Sequence, residues 1–489
     1  MKKFNIPKEV THVTETLEKA GFEAYLVGGC VRDLLRDKKP KDWDITTNAT
    51  PEEITALFEH TFYENSFGTV GIVNDEVEDE TLKTIEVTPY RLETTYSDKR
   101  HPDAVSFSQN LEDDLKRRDF TMNAIAYSVS RETLVDLYGG QKDIENKVIK
   151  TVGKPEDRFN EDALRIIRAI RFTAELGFTN NIDVENAIKN NADMLKNISQ
   201  ERIRDEFVKL VMSDEPKKGI ETAHKLGVLK YIVPELERGI GVTQKGAHIF
   251  DVWEHNLGAL EHSANKNWTL NVRLASLLHD ISKPETRRFS KEKNEYTFYG
   301  HEVVGERVAK KALKRLRFPT KTIDVVSKLV RNHLFFSDID KITMSAVRRI
   351  IKNVGKENVW DLMKVRACDR IGMGRPKENP YRLRKYKAMI EEAMKDPVSV
   401  GMLKIDGQRI MDVTRETPGP KVGFVLHALL EEVLDDPKVN NEAYLEKRAI
   451  ELIKLPIEEL KNLGEAGKTK KEAVEEKEIK EIRQKHWVK

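Results

Sequence analysis

Leu26-Val-Gly-Gly-Cys-Val-Arg-Asp-Leu-Leu35, followed closely by Asp42-Trp-Asp44, decides how the first part of this 489-residue chain is read. A short apolar strand runs into a glycine turn and a helix start, and a second strand carries two carboxylates. Gly28 and Gly29 let backbone amides approach an anion with no Cβ in the way. Asp42 and Asp44 are two residues apart, so on a strand both side chains point to one face. Carboxylates sharing a face repel unless a cation sits between them, and hard oxygen ligands suit Mg²⁺. Singly, a Gly-Gly pair is a turn and an Asp-x-Asp a solvated edge. In this order they predict a phosphate cradle beside a divalent-cation site, the apparatus for moving a nucleotide.

Working outward, a chain of this length predicts two to four domains. Charged residues make up 34%, and no apolar run approaches the ~20 residues of a membrane span. The start MKKFNIPKEV lacks a signal-peptide core, so a cytoplasmic protein with no membrane partner is expected. Cys30 and Cys368 suggest no disulfide framework, and Cys30 reads as a small packed residue beside the glycine turn. A net charge of +2 neither demands nor excludes nucleic acid. Any RNA contact must come from local patches such as Lys116-Arg117-Arg118, Arg165/Arg168/Arg171 and Lys310 to Arg317, which solvated helix faces also explain.

From about residue 22 to 150, β-rich runs (AYLVGG, GTVGIV, LKTIEVTPY, AVSF, LVDLY) alternate with short helices, predicting a mixed α/β domain. Beyond Gly153 apolar residues recur at helical steps, as in Ala163–Leu176, Ile203–Met212, Asn271–His279, Glu302–Leu316 and Val425–Leu434. The fold class is therefore α+β, an α/β head followed by helical domains. Residues 456–489 are dominated by Lys and Glu and read as a solvated helix or tail.

The run GGCVRDLLRDKKPKDWDITTNATPEEI resembles the polymerase-β nucleotidyltransferase superfamily, in its class II tRNA nucleotidyltransferase and bacterial poly(A) polymerase branch. The resemblance implies two-metal transfer with Asp42, Asp44 and a third carboxylate, for which Glu86 in Thr84-Ile-Glu-Val-Thr88 is the candidate. Gly28, Gly29 and Arg32 then lie at the triphosphate. Arg117-Arg118-Asp119-Phe-Thr-Met-Asn123 resembles the second motif, in which Arg118 and Asn123 meet the nucleotide and Asp119 accepts from a ribose hydroxyl. A helix N-terminal cap is the other reading of Asp119. Glu161-Asp162-Ala-Leu-Arg165-Ile-Ile-Arg168-Ala-Ile-Arg171 resembles the third. Its three-residue spacing places Asp162, Arg165 and Arg168 along one helix face. The resemblance makes Asp162 and Arg165 a protein template for CTP and then ATP; a surface ion-pair ladder is the alternative. The polar stretch Tyr90 to Pro102 looks like the family's loop for the final A, and Ile198-Ser-Gln-Glu201-Arg202 like its neck helix.

His255, His279-Asp280, His301, His333 and Asp369 form a second constellation, and imidazole with carboxylate suits a transition metal. Their order resembles the HD superfamily of metal-dependent phosphohydrolases. That implies a divalent metal of unknown identity on His255, His279, Asp280 and Asp369, with His301 and His333 orienting phosphate or holding a second metal. His248 and His262 share the spacing of that helix. HD domains fused to such transferases also serve as scaffold. Asp406-Gly-Gln to Gly423 resembles the family's helical body, with a Pro-Gly-Pro turn opening a helix and Gly423 allowing another backbone close.

The resemblance implies a head over 1–150, a neck with base template over 151–240, an HD-like domain over 241–375, a tRNA-contacting body over 376–455 and the charged tail. The leading expectation is a CCA-adding tRNA nucleotidyltransferase acting on the tRNA 3′ end with CTP, ATP and Mg²⁺. Alternatives are a poly(A) polymerase or A-adding enzyme, and an HD phosphohydrolase using the head to bind RNA. The oligomeric state is left open.

Overall fold

Ala-Tyr-Leu-Val forms strand β1 (Ala24–Val27), and all four residues are buried. A run apolar on both faces suits a strand covered on both sides. In the computed structural model, which describes residues 3–63, 68–93, 105–244, 249–334, 343–394 and 400–488, β1 is an inner strand of a seven-stranded sheet. The other strands of the sheet are β2 (Asp44–Thr47), β3 (Thr61–Tyr63), β4 (Val70–Val73), β5 (Thr84–Pro89), β8 (Ile125–Ser128) and β9 (Thr133–Asp136), in the order β3-β4-β5-β2-β1-β8-β9. Strands β6 (Arg91–Glu93) and β7 (Val105–Phe107) pair separately. Only β2 and β5 run parallel in the large sheet, making it mixed. Their register sets Asp44 beside Glu86, and directly paired residues project to one face.

Strands β3 and β8 were not among the predicted runs. β3 is a three-residue piece at the sheet's edge, and the Ala and Ser of β8 carry little strand preference even though all four residues are buried.

By contact, the chain divides into one unit of Met1–His333 with Lys364–Pro376 and another of Leu334–Met363 with Lys377–Lys489. Behind the head sheet, the first unit continues through helices Pro155–Glu161, Leu164–Leu176, Ile182–Asn191 and Gln200–Met212. Leu164–Leu176 is buried at nearly every position, Arg168 and Glu175 being the half-exposed exceptions. Helices Val252–Asn265, Leu270–Leu278, His301–Arg315 and Thr320–Asn332 follow. Asp251 opens the first of these with a capping box, accepting from the Glu254 amide at 2.7 Å. The expectation of an all-helical region needs two corrections, the first being Thr179–Asn180, which pairs in parallel with Val148–Ile149. A hairpin, Arg288–Ser290 with Glu295–Thr297, lies between the helices. Its strands are three residues long, too short for a periodicity signal.

The second unit is helical, with a core built on Ile410, Val425, Leu429, Leu445, Ala449 and Leu460. Pro420 opens helix Pro420–Asp435 as expected. Two other readings are corrected here. Nothing lies within 4 Å of a Cβ built on Gly423, so no backbone approaches it; the close approach is at Gly464, whose Cβ would sit 3.1 Å from the Phe424 Cα. Of the two readings of residues 456–489 the helix holds, and what is corrected is its full solvation. Ile457–Lys485 is one helix that buries Leu460 in this core and Ile482 against Ala388 and Val488. Sparse apolar residues at helical spacing suffice to seat it, and its many charges mask them in a composition average.

Candidate active sites

The Gly28 turn begins the first site. Its φ of +75° leaves β1 in a conformation that L side chains rarely adopt, and helix Gly29–Leu35 starts at once. A Cβ on Gly28 would lie 3.3 Å from both Arg118 Nη1 and Asp44 Oδ2; one on Gly29 would lie 3.7 Å from Arg32 Nη2 and Asp42 Oδ1. The two glycines, both carboxylates and two guanidinium groups therefore meet at one turn. Asp42 precedes β2 rather than lying within it. The two carboxylates nevertheless reach the same cavity of about 260 Å³, lined also by Arg32, Arg118, Asp119, Asn123, Arg168 and Arg171. Cys30 is buried beneath the turn, and burial pushes its thiol pKa up to about 12, so it is packing and not a nucleophile.

The cationic wall is locked by anchors. Arg32 donates to Asp33 at 3.0 and 3.1 Å and to Asn123 Oδ1 at 3.0 Å. Asn123 Nδ2 donates to Asp119 at 3.1 Å, and Arg168 Nε to the other Asp119 oxygen at 2.8 Å. Arg118 is held by the fully buried Asp114 at 2.8 Å. Burial disfavours the charged forms of Asp114 and Asp119. Arg118 and Arg117 outweigh it at the first, Arg168 and Arg165 at the second, and both pKa values stand at about 2. Arg171 pairs with Glu175 and Glu206 and lies 4.2 Å from the Phe172 ring centroid.

Asp119 does not cap an α-helix; its Oδ1 accepts from the Phe120 amide at 2.7 Å ahead of a single 3₁₀ turn. Asp162 also departs from expectation. The helix breaks there, Asp162 has extended backbone (φ −144°), and Leu164–Leu176 begins after it. Its carboxylate pairs with Arg202 at 2.7 Å, whereas Arg165 is tied to Glu161 at 2.5 Å and to the carbonyls of Arg158 and Arg117. Asp162 and Arg165 are thus each engaged elsewhere, and with Glu86 they do not line the cavity. The Leu164 amide donates to Asp162 Oδ1 at 3.0 Å, which stabilises the break. Most of the expected loop, residues 94–102, lies outside the described residues, and its start is instead the buried Tyr90 and strand β6.

Sequence reasoning missed the anchors. Asp114 was legible, three and four residues before the arginines it holds on one helical turn. Glu206 was not, because only the packing of Gln200–Met212 against Leu164–Leu176 brings it to Arg171.

The second site lies where five helices end or pass, Asp369 being supplied by Val359–Gly372. His255 Nε2 is 2.8 Å from His279 Nε2, 3.1 Å from Asp280 Oδ2 and 3.3 Å from Asp369 Oδ1. On the other side of Asp280, Oδ1 is 3.2 Å from His301 Nε2 and 3.6 Å from His333 Nε2. All six residues are buried, and their ligand atoms form two groups, each within 4.8 Å, that share Asp280. Nδ1 of His279, His301 and His333 contacts the carbonyls of Ser276, Phe298 and Val330 at 2.7–2.8 Å. Donation there leaves Nε2 lone pairs turned inward, the arrangement of a metal-ligating histidine. Burial opposes charge on His279, yet Asp280 and Asp369 outweigh it and push its pKa up to about 10. In chemical terms, the cluster demands positive charge at its centre. The residues fit a divalent metal of the kind that imidazole and carboxylate favour together. His262 packs on Trp268 instead, and His248 lies outside the described residues.

Three family models match the chain. The family "Poly A polymerase head domain" matches residues 24–150, "Probable RNA and SrmB- binding site of polymerase A" 177–240, and "HD domain" 252–374. The CCA-adding enzyme of Lactobacillus delbrueckii subsp. bulgaricus is 33% identical over 432 residues, 88% of this chain and 94% of that protein. That of Leuconostoc mesenteroides is 32% identical over 460 residues, 93% of this chain and 99% of that protein. The crystal structure of Bacillus stearothermophilus CCA-adding enzyme in complex with CTP superposes with a TM-score of 0.60 at 28% identity, covering 91% of this chain and 98% of that one. These relatives span the chain almost end to end and are not poly(A) polymerases, which sets that alternative aside. The chain belongs to the family of CCA-adding enzymes, nucleotidyltransferases with this head and a following HD domain.

Proposed function

We propose that the chain adds C, C and A to the 3′ end of tRNA from CTP and ATP, and that the head cavity is where transfer occurs. The meeting of the Gly28-Gly29 turn with Asp42 and Asp44 under a guanidinium wall carries this reading. Asp42, Asp44 and Glu86 would hold Mg²⁺, which supplies activation of a 3′-hydroxyl and charge neutralisation at the leaving pyrophosphate. Gly28 and Gly29 let the triphosphate approach the backbone, and Arg32 and Arg118, immobilised by Asp33, Asn123 and Asp114, orient it at little further ordering cost. Asp119 is ionised and already accepts from the Phe120 amide, Asn123 Nδ2 and Arg168 Nε and Nη2, so for it to accept from a ribose hydroxyl Asn123 or Arg168 must give way. For Asp162 and Arg165 to read a base edge, their pairs with Arg202 and Glu161 must open; Arg168 and Arg171 complete the nucleotide-binding set. The test is product sequencing after extending one tRNA, ending at its discriminator base, with CTP and ATP separately and mixed. C, C and A in order support the proposal; long A tails from ATP alone with CTP ignored refute it.

A second reading, favoured by the inward Nε2 atoms, makes the histidine cluster a metal-dependent phosphohydrolase centre. His255, His279, Asp280 and Asp369 would hold one divalent ion, and Asp280 with His301 and His333 a second ion or a substrate phosphate. Bound metal lowers the pKa of a water toward neutrality and polarises a phosphate. Metal analysis of wild type and His279→Ala tests this: stoichiometric divalent metal in the first and loss in the second support it, equal content in both refutes it.

A further inference from the structure

The hairpin Arg288–Ser290/Glu295–Thr297 belongs neither to the transferase cavity nor to the metal-ligand set, yet both of its ends are tethered to the histidine cluster. The chain enters it from Lys283, whose buried ammonium lies 2.5 Å from Asp280 Oδ2 and 5.7 Å from the Phe298 ring centroid. It leaves through Phe298, whose carbonyl receives His301 Nδ1 at 2.8 Å. The register pairs Phe289 with Tyr296, so both rings stand on one face, 5.4 Å apart and edge to face. They are 53% and 41% exposed, and Tyr299 beyond them is 73% exposed. Arg287 shares that face, with its guanidinium 3.7 Å from the Tyr296 centroid and Nη2 on Thr243 Oγ1 at 3.3 Å. Lys293 Nζ lies 2.7 Å from the Tyr299 hydroxyl.

Exposed rings cost free energy in water unless something covers them. Here they alternate with cations, Arg287, Arg288, Lys291 and Lys293 against Glu292 and Glu295. Aromatic faces beside guanidinium and ammonium groups match the stacked bases and phosphates of an unpaired nucleic acid strand. A stacked strand whose terminal phosphate reached past Lys283 would meet the metal cluster.

We propose that this hairpin is a stacking platform for single-stranded RNA, which delivers a phosphate-bearing 3′ end to the histidine cluster. This rests on the phosphohydrolase reading for its chemistry but not for binding. The test uses the full-length protein with Mn²⁺ and a five-nucleotide RNA ending in a 2′,3′-cyclic phosphate and carrying 5-iodouridine. Photocrosslinks should map to Phe289, Tyr296 or Tyr299, and Phe289→Ala and Tyr296→Ala should each weaken binding by about fivefold or more. The aromatic-retaining Phe289→Tyr should bind like wild type, which controls for folding. Crosslinks confined to residues 24–150, alanine variants that bind within about twofold of wild type, or equal affinity for a blunt RNA duplex would each overturn the platform. Crosslinking at Tyr296 with the cyclic phosphate left intact upholds the platform and defeats the hydrolytic reading.

Discussion

Replacing Gly28 with Ala tests the reasoning behind the transferase site most directly. At φ +75° and ψ −133° an L residue is strained, at a cost of roughly 1–3 kcal/mol. The added methyl would also lie 3.3 Å from Asp44 Oδ2 and Arg118 Nη1, closer than carbon normally approaches either. Arg118 is pinned by the buried Asp114, so it gives little. Asp44 must then shift by a few tenths of an ångström, and misplacement approaching 1 Å costs on the order of 100-fold in rate. We expect Gly28→Ala to lower kcat for CMP addition by about 10- to 100-fold. Gly139→Ala is the control, because Gly139 has φ +74° but a Cβ there meets nothing within 4 Å. Its ψ of 29° lies in the left-handed helical region that L residues tolerate, so the substitution should lower the apparent Tm by less and leave CMP addition near wild type. The assay is single-turnover incorporation from CTP on a tRNA lacking its last three nucleotides, alongside a thermal scan. Gly28→Ala with wild-type kcat, or a rate loss no larger than that of Gly139→Ala, would refute the idea that the glycine turn positions Asp44.

Asp44→Asn should reduce nucleotide addition on the order of 1,000-fold, read by the same incorporation assay, since a metal ligand contributes several kcal/mol to the transition state. Asp114 has a folded pKa of about 2 against an ordinary 3.8, so its roughly 2 kcal/mol of stability is present above pH 4 and is lost as pH falls toward 2. Asp114→Asn should flatten an acid-unfolding curve followed by near-UV circular dichroism over that window. Arg273 is buried and donates to the carbonyls of Val211, Ser213 and Trp268 at 2.8–3.0 Å. Arg273→Met leaves these unpaired at helix ends and should destabilise the first unit by ~1–3 kcal/mol in a urea titration. Leu460→Ala should cost ~2–5 kcal/mol and open the second unit to limited proteolysis, whereas a residue of a solvated tail would change it by less than ~0.5 kcal/mol.

Several of these contacts were legible in sequence because they are local. A glycine turn after an apolar run, carboxylates two residues apart, and His279-Asp280 at the end of an apolar helix depend on neighbours within a few positions. Strand and helix periods then set where those side chains point. The break at Asp162 was invisible for the opposite reason. Its helical spacing is intact, and the carboxylate that accepts from the Leu164 amide there is held by Arg202, forty residues away. The buried face of the charged C-terminal helix was not foreseen because composition averages over faces, whereas burial selects one.

By itself the sequence determined which chemistries are available: a phosphate turn with acidic residues in the head, and an imidazole-carboxylate set in the middle. Tertiary structure decided how they are assembled. The parallel pairing of β2 with β5 sets Glu86 beside Asp44, which are far apart along the chain. Asp280 became the shared member of two ligand groups because helices around it bring histidines to both of its oxygens. Such juxtapositions depend on the packing of whole elements, which no local pattern encodes, and that packing is what turns lists of candidate residues into sites.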